Sequence, residues 1–204
     1  MKKISKFIYI ISPEKIKNEF FYENLVKIFK SRRISFFQLR LKNEKKNNII
    51  SIGKKIKKLC NKYKVKLIIN DSPKLAKKIN ADGCHLGQSD TTVFSARKIL
   101  KKKIIGVTCH NSKKLITKAI NDGADYIALG AFYSTKTKKT KHRANIKILK
   151  NAKKMTNIPI VAIGGININN YKNLLLNKAN FLAISSYIWN NKKLMPEEAV
   201  QKLK

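Results

Sequence analysis

The chain has 204 residues, 43% of them hydrophobic, and a formal net charge of +35 from 46 Lys plus Arg against 11 Asp plus Glu. That length suits one domain with a substantial core, and that apolar content excludes a disordered chain. The basic residues lie in short runs along the whole chain, such as Lys45-Lys46 and Lys101-Lys102-Lys103, which argues against a single basic stripe shaped for nucleic acid.

Short β-rich runs alternate with longer amphipathic segments. The pattern predicts a strand over 7–12 and a helix over 13–30, with Phe20, Leu25, Ile28 and Phe29 at helical spacing. A strand over 35–40 and a helix over 43–63 follow, then a strand over 65–70 and a short helix over 73–79. The next pairs are a strand over 81–86 with a helix over 92–100, and a strand over 103–107 with a helix over 111–123. Strands over 125–129, 158–163 and 180–185 complete the series, with helices over 145–156, 167–177 and 193–203. Eight β-α units in a row predict a parallel sheet. Closure removes both edges and buries runs such as Ile160-Val161-Ala162-Ile163 on both faces. The expected fold is therefore α/β, a single (β/α)8 TIM barrel over 1–204. The competing open, doubly wound sheet would carry a G-x-G-x-x-G or G-x-x-x-x-G-K fingerprint, and the sequence has neither.

In such a barrel the site lies at the C-terminal ends of the strands. The second strand ends Gln38-Leu39-Arg40-Leu41-Lys42, and period-two alternation puts Gln38, Arg40 and Lys42 on one face. Two cations and an amide pointing one way call for an anion, unless the strand end simply frays into solvent. The third strand ends Asn70-Asp71, and the fourth is followed by Gly87-Gln88-Ser89-Asp90. In a chain this poor in acids, Asp71 and Asp90 on neighbouring strand ends suit Mg2+, which takes one or two carboxylates plus substrate phosphate oxygens. Asp90 alone also suits an N-cap for the helix at Thr92.

The fifth strand leads into Thr108, which offers a hydroxyl, and His110, which reads more readily as a packing residue; His85 also reads as structural. After the sixth strand, Thr135-Lys136-Thr137-Lys138 alternates hydroxyls with ammonium groups that can grip a phosphate. Gly164-Gly165 after the seventh strand and Ser185-Ser186 after the eighth stand at the usual phosphate-binding corner of this barrel. The three cysteines, Cys60, Cys84 and Cys109, form no C-x-x-C pair and read as reduced thiols. No segment approaches the roughly 20 apolar residues of a membrane span. The expected setting is cytoplasmic, without a membrane partner. A homo-oligomer is compatible with the sequence.

With these residues placed, the chain resembles the thiamine phosphate synthase family over about residues 9–189. The likeness rests on Gln38-x-Arg40-x-Lys42, Asn70-Asp71, Ala81 to Gly87-Gln88-x-Asp90, Gly106-Val107-Thr108-x-His110, Thr135-x-Thr137-Lys138 and Ala162-Ile163-Gly164-Gly165-Ile166. The resemblance implies a Mg2+-dependent condensation of hydroxymethylpyrimidine diphosphate with hydroxyethylthiazole phosphate, giving thiamine phosphate and diphosphate. It implies that Gln38, Leu39, Arg40, Leu41, Lys42, Asn70, Thr108 and Lys138 bind the pyrimidine diphosphate, with Arg40, Lys42 and Lys138 acting in the chemistry. Asp71 and Asp90 would hold the metal. Thr135, Lys136, Thr137, Gly165, Ser185 and Ser186 would hold the thiazole phosphate. The chain departs from the family pattern at Ala131 and Ser134, where prolines are usual, at Thr108, where Ser is usual, and at Ser185, where an aliphatic residue is usual.

Two other readings compete. A thiazole tautomerase-like barrel would share the thiazole phosphate site, but such relatives need no diphosphate site and tend to lack the metal aspartates. A non-catalytic, basic nucleic-acid-binding barrel would present a clustered basic face with aromatics for stacking, and the sequence shows neither. The partners expected are thus two small phosphorylated substrates and no specific nucleic acid.

Overall fold

The computed structural model describes residues 6–134 and 143–204. Eight strands, β1 (Ile8–Ile11), β2 (Ile34–Leu39), β3 (Lys66–Asn70), β4 (Gly83–Leu86), β5 (Ile104–His110), β6 (Tyr126–Gly130), β7 (Ile160–Ile163) and β8 (Phe181–Ile184), close into a barrel in chain order. Every neighbouring pair is parallel, and β1 closes on β8 with Tyr9 opposite Ala183. Around them lie α1 (Glu19–Lys30), α2 (Lys46–Tyr63), α3 (Pro73–Ile79), α4 (Val93–Leu100), α5 (Lys113–Asn121), α6 (Lys147–Met155), α7 (Tyr171–Leu176), α8 (Ser186–Trp189) and α9 (Pro196–Lys202). The (β/α)8 expectation from the sequence is the observed architecture.

Strand alternation sorts the apolar residues into two layers. Ile8, Ile10, Ile127 and Leu129 face outward and pack beneath the helices with Leu25, Ile56 and Leu149. Tyr9, Ile11, Tyr126, Ala128 and Val161 face inward and fill the barrel with Ile68, Ala183 and the half-buried Phe36 and Phe181. The interior is tightly fitted: a Cβ on Gly106 would run into the ring of Tyr126. Glycine at that position is what lets a tyrosine lie across the barrel.

Hydroxyl caps set the starts of three helices that follow rim loops. Ser72, Thr92 and Ser112 accept from the N–H groups of Leu75, Ser95 and Leu115, at 3.3, 3.2 and 3.3 Å. At the opposite end of the barrel two aspartates serve structure. Asp82 Oδ2 accepts from Lys57 Nζ at 2.6 Å and Leu67 N at 2.8 Å. Asp125 Oδ2 accepts from Arg97 Nη2 and Ile105 N, both at 2.7 Å.

The structure corrects several sequence boundaries. Residues 13–18 are not helical, and α1 starts only at Glu19. This stretch offers only Ile16 to the core, too little packing to hold a helical turn. β5 extends to His110 rather than ending at 107. The last helix is confined to Pro196–Lys202, and an unanticipated turn, α8, follows β8 directly. Trp189 Nε1 anchors that turn by donating to Ile11 O at 2.8 Å.

Candidate active site

The strand ends deliver their polar side chains in two groups. In the first, β3 ends at Asn70 and the chain turns sharply at Asp71, whose φ of 63° is left-handed, a conformation aspartate tolerates better than most residues. Asp71 N donates to His85 O at 2.8 Å, which ties this turn to β4. Asp90 returns on the loop after β4, and its Oδ2 accepts from Gly87 N at 2.7 Å. Thr92, not Asp90, caps α4, so the capping explanation of Asp90 does not hold.

The Asp71 and Asp90 carboxyl groups face each other closely enough for their charges to interact. Burial and this contact raise the Asp71 pKa above its ordinary value, while Lys42 and Arg40 act in the other direction. Lys42 Nζ stands 3.7 Å from Asp71 Oδ2 and is half exposed, so this contact contributes little stability and leaves the ammonium available. The two cations and two carboxylates predicted from separate strands therefore converge. Among the described residues no three His, Cys, Asp or Glu side chains cluster as a metal cage. Two adjacent carboxylates fit Mg2+, which leaves its remaining positions to water and phosphate oxygens.

Gln38 and Thr108 lie deeper. Gln38 is buried and its Nε2 donates to Tyr9 Oη at 2.8 Å. Thr108 Oγ1 lies 2.8 Å from His85 Nε2, and its carbonyl accepts from Gln88 Nε2. His85 Nδ1 in turn lies 2.8 Å from Tyr126 Oη. Burial lowers the His85 pKa to about 4, so the ring is neutral near pH 7. Leu39 and Leu41 point the other way, into the apolar layer under the helices, and can meet a ligand only through their backbone. Asn70 is half-buried at the end of β3, beside His85 in register.

The second group lies across the mouth. Gly164 and Gly165 have φ of 104° and 64°, and a Cβ on Gly165 would strike the backbone of Tyr133 and Ser134. The loops after β6 and β7 are zipped together, with Phe132 N donating to Ile163 O and Tyr133 N to Gly164 O, each at 3.1 Å. Asn170 Nδ2 holds Gly165 O at 3.1 Å. Ser185 Oγ donates to Ser12 O at 3.3 Å, and Ser12 Oγ accepts from Arg40 N at 3.0 Å, so one serine links the two groups. Ser186 begins α8. Thr135, Lys136, Thr137 and Lys138 lie outside the described residues.

Sequence reasoning missed four polar residues here. Tyr9 and Tyr126 sit in apolar strands, where inward alternation was the only signal. Ser12 is legible in the sequence only as the end of the first strand. Arg143, whose Nη2 donates to Ser134 Oγ at 2.8 Å, brings another cation to the β6 loop.

Residues 8–188 match the family model described as thiamine monophosphate synthase. The chain is 67% identical over 199 residues to a thiamine-phosphate synthase of Pelagibacter ubique (strain HTCC1062), covering 98% of this chain and 96% of that protein. It is 36% identical over 185 residues to a thiamine-phosphate synthase of Rhodospirillum centenum, covering 90% and 89%. Among solved structures it resembles a thiamine phosphate pyrophosphorylase from Pyrococcus furiosus, with a TM-score of 0.85 and 26% identity over 97% of this chain and 93% of the other.

Proposed function

Because this chain belongs to the thiamine monophosphate synthase family, an enzyme family of the transferase class, we propose that its rim joins hydroxymethylpyrimidine diphosphate to hydroxyethylthiazole phosphate. The observation that carries this reading is the meeting of Asp71 and Asp90 beside Lys42 and Arg40. A tautomerase-like reading has no use for that convergence.

In the proposed reaction the bond between the pyrimidine methylene carbon and the diphosphate oxygen breaks, and the thiazole nitrogen forms the new bond to that carbon. Diphosphate leaves with the electron pair. Arg40 and Lys42, joined by Lys138 on the sequence argument, stabilise the charge that builds on the leaving group. Asp71 and Asp90 would hold Mg2+, which when bound supplies further charge neutralisation to the diphosphate. Gln38, Asn70, Thr108 and the backbone of Leu39 and Leu41 position the pyrimidine half. Gly165, Ser185 and Ser186, with Thr135, Lys136 and Thr137, position the thiazole phosphate. Its arrival fixes the nucleophile in place and converts a two-body encounter into an oriented one. No side chain need act as a nucleophile.

Among the described residues no helix is long and apolar enough to cross a membrane. Cys60, Cys84 and Cys109 are all free and buried, which supports placing the reaction in the reducing cytoplasm. The proposal includes no specific nucleic-acid partner. The decisive assay mixes the protein, Mg2+ and the two phosphorylated halves. Thiamine phosphate and diphosphate should appear in equal amounts, and no product, or product without the thiazole phosphate, overturns the proposal.

A further inference from the structure

Five polar side chains are joined end to end inside the barrel, from β2 through β1, β6 and β4 to β5. Gln38 Nε2 meets Tyr9 Oη, Tyr9 Oη meets Tyr126 Oη, Tyr126 Oη meets His85 Nδ1, and His85 Nε2 meets Thr108 Oγ1, each at 2.8 Å. Gln38, Tyr9, Tyr126 and His85 are all buried. The two ends are residues assigned above to the pyrimidine diphosphate, and the three middle ones have no role in that scheme.

The donor inventory gives this chain a direction. The Gln38 amide donates to Tyr9 Oη. A tyrosine hydroxyl has one proton, and that of Tyr9 finds its acceptor in Tyr126. If Tyr126 instead donated to Tyr9, the Tyr9 proton would be buried with no acceptor among the described residues. A buried donor left unsatisfied loses its hydrogen bonds to water and gains none in return, so that arrangement is disfavoured. Tyr126 therefore passes its own proton to His85 Nδ1. The imidazole, hydrogen-bonded on both sides by hydroxyls, then carries its proton on Nε2 and donates to Thr108 Oγ1. Thr108 accepts inside the chain, so its own proton is left to donate outside it. At the other end the Gln38 carbonyl oxygen is left to accept. Reversing either end means reversing all four bonds together.

We propose that Tyr9, Tyr126 and His85 form a one-way hydrogen-bond relay that presents Thr108 as a donor and the Gln38 carbonyl as an acceptor to the pyrimidine diphosphate. The three are positioning residues: they touch no substrate but decide the sense of the hydrogen bonds the two ends make. The arrangement suits a ligand whose diphosphate oxygens only accept and whose heterocycle carries an N–H donor. The inference rests on the function proposed above and adds to it the polarity of the pyrimidine site.

The first test reads the protein without substrate. Nitrogen-15 NMR of the His85 ring, assigned by loss of its signals in His85→Gln, should show an unprotonated Nδ1 and a protonated Nε2 near pH 7.5. A proton on Nδ1 overturns the polarity. The second test uses Tyr126→Phe, which keeps the ring stacked on His85 at 5.6 Å and removes only the hydroxyl. Calorimetry should show about tenfold weaker binding of hydroxymethylpyrimidine diphosphate, and hydroxyethylthiazole phosphate binding changed less than about twofold. Thr108→Val should weaken the same substrate similarly, and the double variant should be no worse than Thr108→Val alone, because both substitutions break one unit. Additive losses, or equal weakening of both substrates, overturn the relay. Tyr9→Phe provides the same test should Tyr126→Phe not fold. An enzyme that binds both substrates with the expected tautomer but forms no thiamine phosphate would sink the proposed reaction and leave the relay standing.

Discussion

Acid should unfold this protein partly through one buried imidazole. His85 ordinarily titrates at 6.5, and burial lowers that to about 4. Between these values the unfolded chain binds a proton that the folded chain does not, so stability falls as pH drops from 6.5 toward 4. Each tenfold change in proton affinity is worth about 1.4 kcal/mol, which makes the loss about 2.5 kcal/mol at pH 4.5 and about 3.5 kcal/mol in full. Asp71 acts in the opposite sense. Its pKa is raised, so the folded chain holds a proton that the unfolded chain has released, and its contribution grows more favourable as pH falls. The His85 effect must therefore be read as a difference. Urea unfolding of the wild type and of His85→Gln at pH 7.0, 6.0, 5.0 and 4.5 gives that difference directly. The wild type should lose about 2.5 kcal/mol more than the variant across this range. NMR titration of the His85 ring supplies the folded pKa independently. A midpoint near 6.5, or parallel pH profiles for the two proteins, would refute the reasoning.

Asp71→Asn and Asp90→Asn should each lower Mg2+-supported turnover on the order of 100-fold or more, read in a steady-state assay across Mg2+ concentrations. The Mg2+ requirement of the wild type should rise as pH falls, because a proton competes for the raised Asp71 carboxyl. Arg40→Ala should weaken pyrimidine diphosphate binding roughly 10–100-fold, the worth of a charged hydrogen bond, and leave thiazole phosphate binding within about twofold. Unchanged binding of both would make the β2 cluster structural. Gly106→Ala should drive a methyl group into the Tyr126 ring and cost about 1–3 kcal/mol in urea unfolding. An unchanged midpoint would mean that the barrel interior is looser than described.

Short β-rich apolar runs, repeated eight times with helical segments between, determined the barrel from the sequence alone, because a closed parallel sheet must bury both faces of its strands. That pattern also put polar residues at the rim: Arg40, Lys42, Asp71, Asp90, Gly165 and Ser185 follow strand ends, Thr108 lies near the end of β5, and in this fold strand ends meet. What the sequence could not decide is which side chains touch once the ring closes. Tyr9 and Tyr126 lie 117 positions apart, and no periodicity within either strand says that their hydroxyls will meet. The contact between Asp71 and Asp90 depends on a left-handed turn at Asp71 held by the His85 carbonyl. The start of α1 at Glu19 likewise reflects packing that residues 13–18 lack, although their local pattern reads as helical. Local pattern specifies which face a residue takes. Closure of the barrel specifies its partner, because a hydrogen bond requires two groups within about 3 Å of each other and only the tertiary fold sets that distance.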